Sequence, residues 1–255
     1  MMTQVQIYQN ECLHFLTNFL HKESIPFIYI DPPFNTGRTQ KRARNELGYD
    51  DSYEDFIGFL RPRLEQARRV LTPDGSLFFH IDYRESHYCK VLLDEIFGRD
   101  CFMNEIIWAY DYGGRSKKKW SQKHNTLFWY VKDPKNYTFN FDEMERIPYM
   151  APGLVGKEKA ARGKTPTTVW WHTIVPTNGK EKTGYPTQKP LGLLKRILKV
   201  HTNPGDKVLD FFAGSGTTGD AAVSLGRQAI LVDNNPQAIE VMEKRLGVCP
   251  YLRGE

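Results

Sequence analysis

The sequence predicts a doubly wound α/β fold, a mainly parallel sheet with helices on both faces. Near-continuous apolar runs such as "PFIYID" (Pro26–Asp31) and "GSLFFHID" (Gly75–Asp82) read as strands buried on both faces. Segments with helical spacing alternate with these runs. A glycine-rich turn, "AGSGTTG" (Ala213–Gly219), joins a strand to a helix, as at the ligand-binding edge of such sheets. At 255 residues, 40% hydrophobic and 25% charged, the chain can bury one substantial core, or one core with a smaller appendage.

After the strand ending at Asp31, Tyr53, Phe56, Ile57, Leu60, Leu64, Ala67 and Leu71 recur at helical spacing, and Thr72, Pro73, Asp74 and Gly75 stop that helix. Pro62 within it predicts a kink or break. The strand Gly75–Asp82, a helix over Glu85–Phe97 and the strands "EIIWAY" and "TLFWYVK" complete the first half, 1–133. From Pro134 to Gly184 the pattern dissolves into Pro, Gly, Lys and Thr around one apolar island, "KTPTTVWWH", and this stretch reads as an insert. Its Trp170 and Trp171 are expected to pack where it returns to the core. From 185 to 255, "LGLLKRILKVH", "DKVLDFF", "TTGDAAVSLG", "QAILVDN" and "NPQAIEVMEKRLG" read as helix, strand, helix, strand and helix.

Several function classes recede. No apolar stretch approaches the roughly 18 to 20 residues of a membrane span, and "MMTQVQIYQN" lacks the basic start and apolar run of a signal peptide, so a cytoplasmic protein with no membrane partner is expected. Cys12, Cys89, Cys101 and Cys249 are scattered, without a Cys-x-x-Cys pair or a histidine at metal-ligand spacing. They read as buried free thiols, and no metal site is expected. The formal charge is +5, and its basic residues cluster in three predicted loops: Arg38, Lys41, Arg42 and Arg44; Arg115 and Lys117 to Lys119; and Lys157, Lys159, Arg162 and Lys164. Three such loops point to a polyanionic partner.

Gly214, Gly216 and Gly219 form a G-x-G-x-x-G between strand and helix, and Asp233 ends the next strand. This matches a dinucleotide fingerprint, and hence an NAD-dependent oxidoreductase, but the same turn accepts other adenosine ligands. Asp210 tips the balance. A carboxylate there repels a pyrophosphate and attracts a cation, such as the sulfonium and amino groups of S-adenosylmethionine.

"DPPF", Asp31 to Phe34, follows the first strand. Pro32 and Pro33 fix their own backbone angles, remove donors and hold the preceding residues extended. The result is a stiff turn at the ligand edge whose carbonyls and Asp31 carboxylate are acceptors, beside the aromatic face of Phe34. An exocyclic amino group would satisfy the acceptors while its base stacked on the ring. The bland alternative is a turn in which Asp31 caps Asn35 or Thr36.

Together, "DPPF" and "DFFAGSGTT" resemble the catalytic and cofactor motifs of the amino-group DNA methyltransferases, and their order resembles the permuted beta class. "NECLHFL" (Asn10–Leu16) and "YPTQKP" (Tyr185–Pro190) resemble the family segments near the cofactor's adenine and methionine ends. The resemblance implies a seven-stranded, Rossmann-like, circularly permuted methyltransferase sheet, with a target-recognition region in the insert 134–184. "QVQIY", Gln4 to Tyr8, is expected to supply the strand beyond "QAILVDN". It also implies catalysis by Asp31, Pro32, Pro33 and Phe34. S-Adenosylmethionine would be bound by Asn10, Glu11, Cys12, Asp31, Thr187, Gln188, Lys189, Asp210, Phe211, Phe212, Gly214, Ser215, Gly216, Thr217, Thr218, Asp233 and Asn234. Double-stranded DNA is the expected partner, its phosphates held by Arg38, Lys41, Arg42, Lys117, Lys118 and Lys119.

In the family, Asp at the first motif position mostly accompanies adenine N6 and Ser cytosine N4, so Asp31 favours adenine. Phe34 stands where the family usually has Tyr, keeping the stacking face and losing a hydroxyl. Methylation of RNA bases or of protein glutamine is a related alternative. The resemblance allows a homodimer and an accompanying restriction endonuclease without requiring either.

Overall fold

The computed structural model describes residues 4–42, 45–176 and 178–247, excepting the side chains of 41–42, 45–48 and 50. Its main sheet begins with β1 (Val5–Gln9), which leads through α1 (Cys12–Asn18) to the central strand β2 (Ile25–Ile30). A hairpin of β3 (Arg38–Arg42) and β4 (Asn45–Asp51) stands apart as its own two-stranded sheet. Next come α2 (Phe56–Val70), β5 (Leu71–Ile81), α3 (Ser86–Phe97), β6 (Phe102–Ala109) and β7 (His124–Val131). The insert contributes α4 (Lys157–Arg162) and β8 (Val169–Trp171). The last part is α5 (Leu191–His201), β9 (Lys207–Asp210), α6 (Thr217–Ser224), β10 (Gln228–Asp233) and α7 (Pro236–Leu246).

The strand order is β1-β10-β9-β2-β5-β7-β6-β8, and β7 runs antiparallel to both of its neighbours while the other pairings are parallel. β1 pairs with β10 from Val5↔Ala229 to Gln9↔Asp233, so the amino-terminal strand does lie beyond the last strand of the chain. β8 adds an eighth strand outside the expected seven, in register Ile107↔Val169 to Ala109↔Trp171. From β9 the chain winds outward through β10, and from β2 it winds the other way through β5. The carboxyl ends of these two neighbours therefore form the switch point where open α/β sheets bind ligands.

The continuous apolar run of β2 follows from its place in the middle. Ile28 and Ile30 join one core with Leu60, Leu64 and Leu92 of α2 and α3, while Phe27 and Tyr29 join the other with Leu193, Ile197 and Ala221 of α5 and α6. Alternate residues point to opposite faces, so a strand covered on both sides is apolar throughout. Each such buried side chain contributes roughly 1.5–3 kcal/mol.

The structure corrects three local expectations. α2 continues through Pro62 as one element rather than breaking there, since burial of Leu60, Leu64, Ala67 and Val70 outweighs one missing backbone bond; Asp55 caps its start, accepting from Gly58 N at 2.8 Å. β5 starts at Leu71 rather than Gly75. Its register with β2 jumps from Ile25↔Leu71 to Phe27↔Ser76, so the turn-like "TPDG" is a bulge within the strand. Trp171 is 72% exposed, whereas Trp170 packs on the core with the Arg196 guanidinium 5.1 Å from its ring centroid. Consecutive residues of an edge strand face opposite ways, and only one of the two tryptophans meets the core.

Cys12 and Cys89 are buried free thiols and Cys101 is half-buried; Cys249 lies outside the described residues. No helix among the described residues is long and apolar enough to cross a membrane.

Candidate active site

Two cavities meet at the switch point. One, of about 310 Å³, is walled by the carboxyl ends of β2, β9 and β10, the start of α1 and one face of α2. The other, of about 570 Å³, opens beyond Phe34 over the ends of β6 and β7. Residues 185–189 line both, forming the partition between them.

In the first cavity the glycine turn does several separate jobs. Gly214 N donates to Asp233 Oδ2 at 2.8 Å, and Asn235 N donates to Asp233 Oδ1 at 2.9 Å, so the acidic residue ending β10 braces the turn. Gly216 has φ 72°, and a Cβ there would lie 2.8 Å from Met242 Cγ. At Gly219 a Cβ would lie 2.6 Å from Leu231 Cδ1. These two glycines let α6 pack closely against α7 and β10; neither lines the cavity.

Asp210, Phe211, Phe212, Gly214, Ser215, Thr217, Thr218, Asp233 and Asn234 do line it, with Glu11, Cys12, Thr187, Gln188 and Lys189. Asn10 does not. Its side chain meets His14 Nδ1 at 3.0 Å, and its backbone N donates to the Asp233 carbonyl. Arg63 donates to Glu11 at 2.6 Å and to Cys12 Sγ at 3.0 Å, and its guanidinium lies 3.8 Å over the Phe59 ring. Burial pushes the Cys12 thiol up to about 12, which leaves it an inert apolar wall. Tyr185, the first residue of "YPTQKP", also lines this cavity, as do Tyr29, Tyr49, Tyr53, Phe59 and Arg63, which were not picked out from sequence as ligand contacts. Phe59 and Arg63, four apart on α2, carried a helical-face signal that could have found them.

The electrostatics single out the ligand. Asp210 is buried, accepting from Thr218 Oγ1 at 2.6 Å and Phe212 N at 3.1 Å. Burial raises its pKa to about 7, and the carboxylates of Asp31 and Asp233 push the same way. Burial also raises Asp31 and Asp233. Besides Glu11, which is paired with Arg63, the three carboxylates of Asp31, Asp210 and Asp233 thus converge on a desolvated cavity whose described cationic wall residues are Arg63 and Lys189. A bound sulfonium and amino group would relieve that strain, so these residues fit S-adenosylmethionine and disfavour a pyrophosphate.

Asp31 follows the end of β2 at the partition. Its Oδ2 lies 2.7 Å from Lys189 Nζ, and its Oδ1 is buried without a hydrogen-bond partner among the described residues. His80, wholly buried on β5, has Nδ1 3.9 Å from Oδ1 and 2.7 Å from the Tyr29 hydroxyl. Burial, reinforced by the Lys189 charge, holds His80 well below its ordinary pKa, so it is neutral.

The cap considered for Asp31 is supplied instead by Asp51, which accepts from Asn35 N at 2.8 Å and Thr36 Oγ1 at 2.6 Å. The Asn35 side chain, with φ 53°, also joins Glu85 and Tyr53 N at 2.8 and 2.9 Å. The turn is locked from outside, by Asp51 rather than by Asp31. Phe34 lines the second cavity with Asp82, Trp108, Tyr110, His124 and Asn125.

Of the basic residues, Arg38 is exposed at the start of β3 and Lys117 to Lys119 are exposed between β6 and β7, beside Trp120, which is 96% exposed. The side chains of Lys41 and Arg42 lie outside the described part, as does Arg44.

A family model described as DNA methylase matches residues 25–244. The type II methyltransferase M.HpaI of Haemophilus parainfluenzae is 32% identical over 89% of this chain and 69% of its own length. The DNA adenine methyltransferase YhdJ of Escherichia coli (strain K12) is 32% identical, covering 91% and 80%. Among solved structures, that of the M1.HpyAVI–SAM complex matches with a TM-score of 0.65 at 23% identity, covering 94% of this chain and 99% of that one. The cytosine-N4-specific PvuII DNA methyltransferase matches with a TM-score of 0.71 at 19% identity, covering 95% and 86%. Both show the same fold.

Proposed function

Because the chain belongs to the DNA methylase family of N6/N4 amino-methyltransferases, which use S-adenosylmethionine, we propose that it methylates the N6 of adenine in duplex DNA. The observation that carries this reading is the placement of Asp31. Its partnerless Oδ1 lies at the partition between a cavity suited to a cationic adenosine ligand and one floored by Phe34.

S-Adenosylmethionine, when bound, supplies an electrophilic methyl group on a sulfonium. The chain's task is to make an unreactive amine attack it. An aromatic amine's lone pair is delocalised into the ring. Accepting its hydrogens at Asp31 Oδ1 and the Pro32 carbonyl draws the nitrogen towards pyramidal geometry and localises that pair. As the nitrogen gains positive charge, a carboxylate at hydrogen-bond distance in a desolvated site stabilises it strongly. The raised pKa of Asp31 suits it to take up the departing proton. The stiff turn, fastened by Asp51, contributes the positioning.

Duplex DNA hides the amine, so the target is flipped into the second cavity and stacked on Phe34. Arg38 and Lys117 to Lys119 hold phosphates, and the insert 134–184 reads the recognition sequence. Adenine is favoured by Asp31 at the first motif position and by the relative named a DNA adenine methyltransferase; the likeness to a cytosine-N4-specific enzyme favours the second reading.

The test is mass spectrometry of nucleosides from a methylation-free host expressing this chain. N6-Methyladenine is expected. N4-Methylcytosine alone would replace adenine with cytosine as the target, and the absence of both products would overturn the proposal altogether.

A further inference from the structure

Lys189 neutralises the carboxylate proposed to accept the target amine, through Oδ2 rather than the open Oδ1, and lies over the ring proposed to stack its base. Its Nζ lies 2.7 Å from Asp31 Oδ2 and 4.8 Å from the centroid of the Phe34 ring, with the Lys189 and Asp31 side chains only 11% and 17% exposed. An ammonium competes better than a neutral amine for a carboxylate, because its hydrogen bond is charge-assisted. An aromatic face likewise attracts a cation. While Lys189 stays, an incoming base meets an occupied ring and a neutralised acceptor. Methyl transfer also moves positive charge onto the amine nitrogen, and an ammonium on the same carboxylate would cancel most of the stabilisation Asp31 offers there.

The surroundings show where the ammonium can go. Lys189 lines both cavities, so its side chain stands at the boundary between them. Its backbone stays fixed, with its carbonyl accepting from Thr217 Oγ1 at 3.1 Å. Among the described residues, Nζ meets Asp31, the Phe34 ring and the Thr187 carbonyl, the last at 3.3 Å. In the first cavity the other described cationic wall residue, Arg63, is already committed to Glu11, Cys12 and the Phe59 carbonyl. A cofactor α-carboxylate in this cavity has Lys189 as its available counter-charge among the described residues, and it gains by sitting beside Lys189 and away from Asp210 and Asp233.

Building on the role given to Asp31, we propose that Lys189 is a cofactor-responsive gate. It covers Asp31 and Phe34 in the arrangement described here, and the cofactor's α-carboxylate competes with Asp31 for it. Cofactor binding then restores the full negative charge of Asp31 and clears the ring, so that base capture follows cofactor binding.

Calorimetry tests this without DNA or catalysis. S-Adenosylhomocysteine carries the α-carboxylate without the sulfonium, and methylthioadenosine carries neither. Asp31→Asn removes the competitor, so S-adenosylhomocysteine binds about tenfold tighter than to the unaltered chain, within the usual range for coupled sites. In a Lys189→Met background the same change leaves that affinity unaltered. Methylthioadenosine binding is insensitive to Asp31→Asn in both backgrounds. Absence of tightening, its persistence without Lys189, or its appearance with methylthioadenosine would overturn the gate. Asp31→Ser replaces Asp31→Asn should the latter unfold, as judged by thermal melting. If the unaltered chain fails to bind S-adenosylhomocysteine, both the gate and the cofactor site fall. A chain that shows the coupling yet leaves host DNA unmethylated retains the gate and loses the proposed reaction.

Discussion

Asp210→Asn is expected to stabilise the protein at alkaline pH while weakening cofactor binding. In the folded chain the Asp210 carboxyl titrates at about 7, against an ordinary value of 3.8, chiefly because it is buried. A folded-state pKa raised above the unfolded value contributes stability that is full below the unfolded value and is lost as pH rises through the folded one. The shift spans about three pH units at about 1.4 kcal/mol each, so ionised Asp210 costs roughly 4 kcal/mol above pH 7. Asparagine removes that cost. It keeps one acceptor for the Thr218 hydroxyl and the Phe212 amide, and the imperfect bond offsets about 1–2 kcal/mol of the gain. Net stabilisation at pH 8 is therefore about 2–3 kcal/mol. At pH 5 the unaltered protein already holds most of the proton, and the gap narrows by roughly 2–3 kcal/mol. Urea unfolding at both pH values measures the gap. A gap independent of pH, or a less stable variant at pH 8, would refute the claim that a desolvated, repelled carboxylate waits for a cation here.

Gly216→Ala should destabilise the fold by about 2–4 kcal/mol, from a left-handed residue and a Cβ driven into buried Met242. Urea unfolding checks this; a change below about 0.5 kcal/mol would show that the turn relaxes. Asp233→Asn loosens the brace on Gly214 and removes a carboxylate from the cavity, so S-adenosylmethionine affinity should fall about tenfold or more by calorimetry, and an unchanged affinity would place the ligand elsewhere. Changing Lys117, Lys118 and Lys119 to Gln should weaken DNA binding and flatten its dependence on log salt by about 2 to 3 in slope. An unaltered slope in a salt titration would reduce these lysines to solvated surface.

The parts of this fold that sequence exposes are those where one physical demand dominates. β2 and β5 must bury both faces, and their apolar runs say so; β1 is legible because the permuted sheet lacks a strand that only "QVQIY" can supply. The hairpin β3–β4 stayed hidden because β3 is wholly polar and β4 carries only Leu47 and Tyr49 among polar residues and a glycine, too little to mark an apolar face. β8 was hidden because a three-residue edge strand is defined by its partner, β6. In the site, Asp31, Phe34 and Asp210 announce themselves through stiff or glycine-rich turns. The pairing of Asp31 with Lys189, the locking of the turn by Asp51 and the His80–Tyr29 contact join residues that are far apart in the chain, and no local pattern encodes them.

The central claim is that Asp31 accepts the target amine. Single-turnover transfer of a labelled methyl group to DNA from the methylation-free host, comparing Asp31→Asn with the unaltered chain, tests it most directly. The account predicts a rate loss of about a hundredfold or more, the scale on which removing an acid–base group or an oriented charge acts, with S-adenosylhomocysteine affinity undiminished. Near-normal transfer by Asp31→Asn, with the variant folded and binding cofactor, would contradict it.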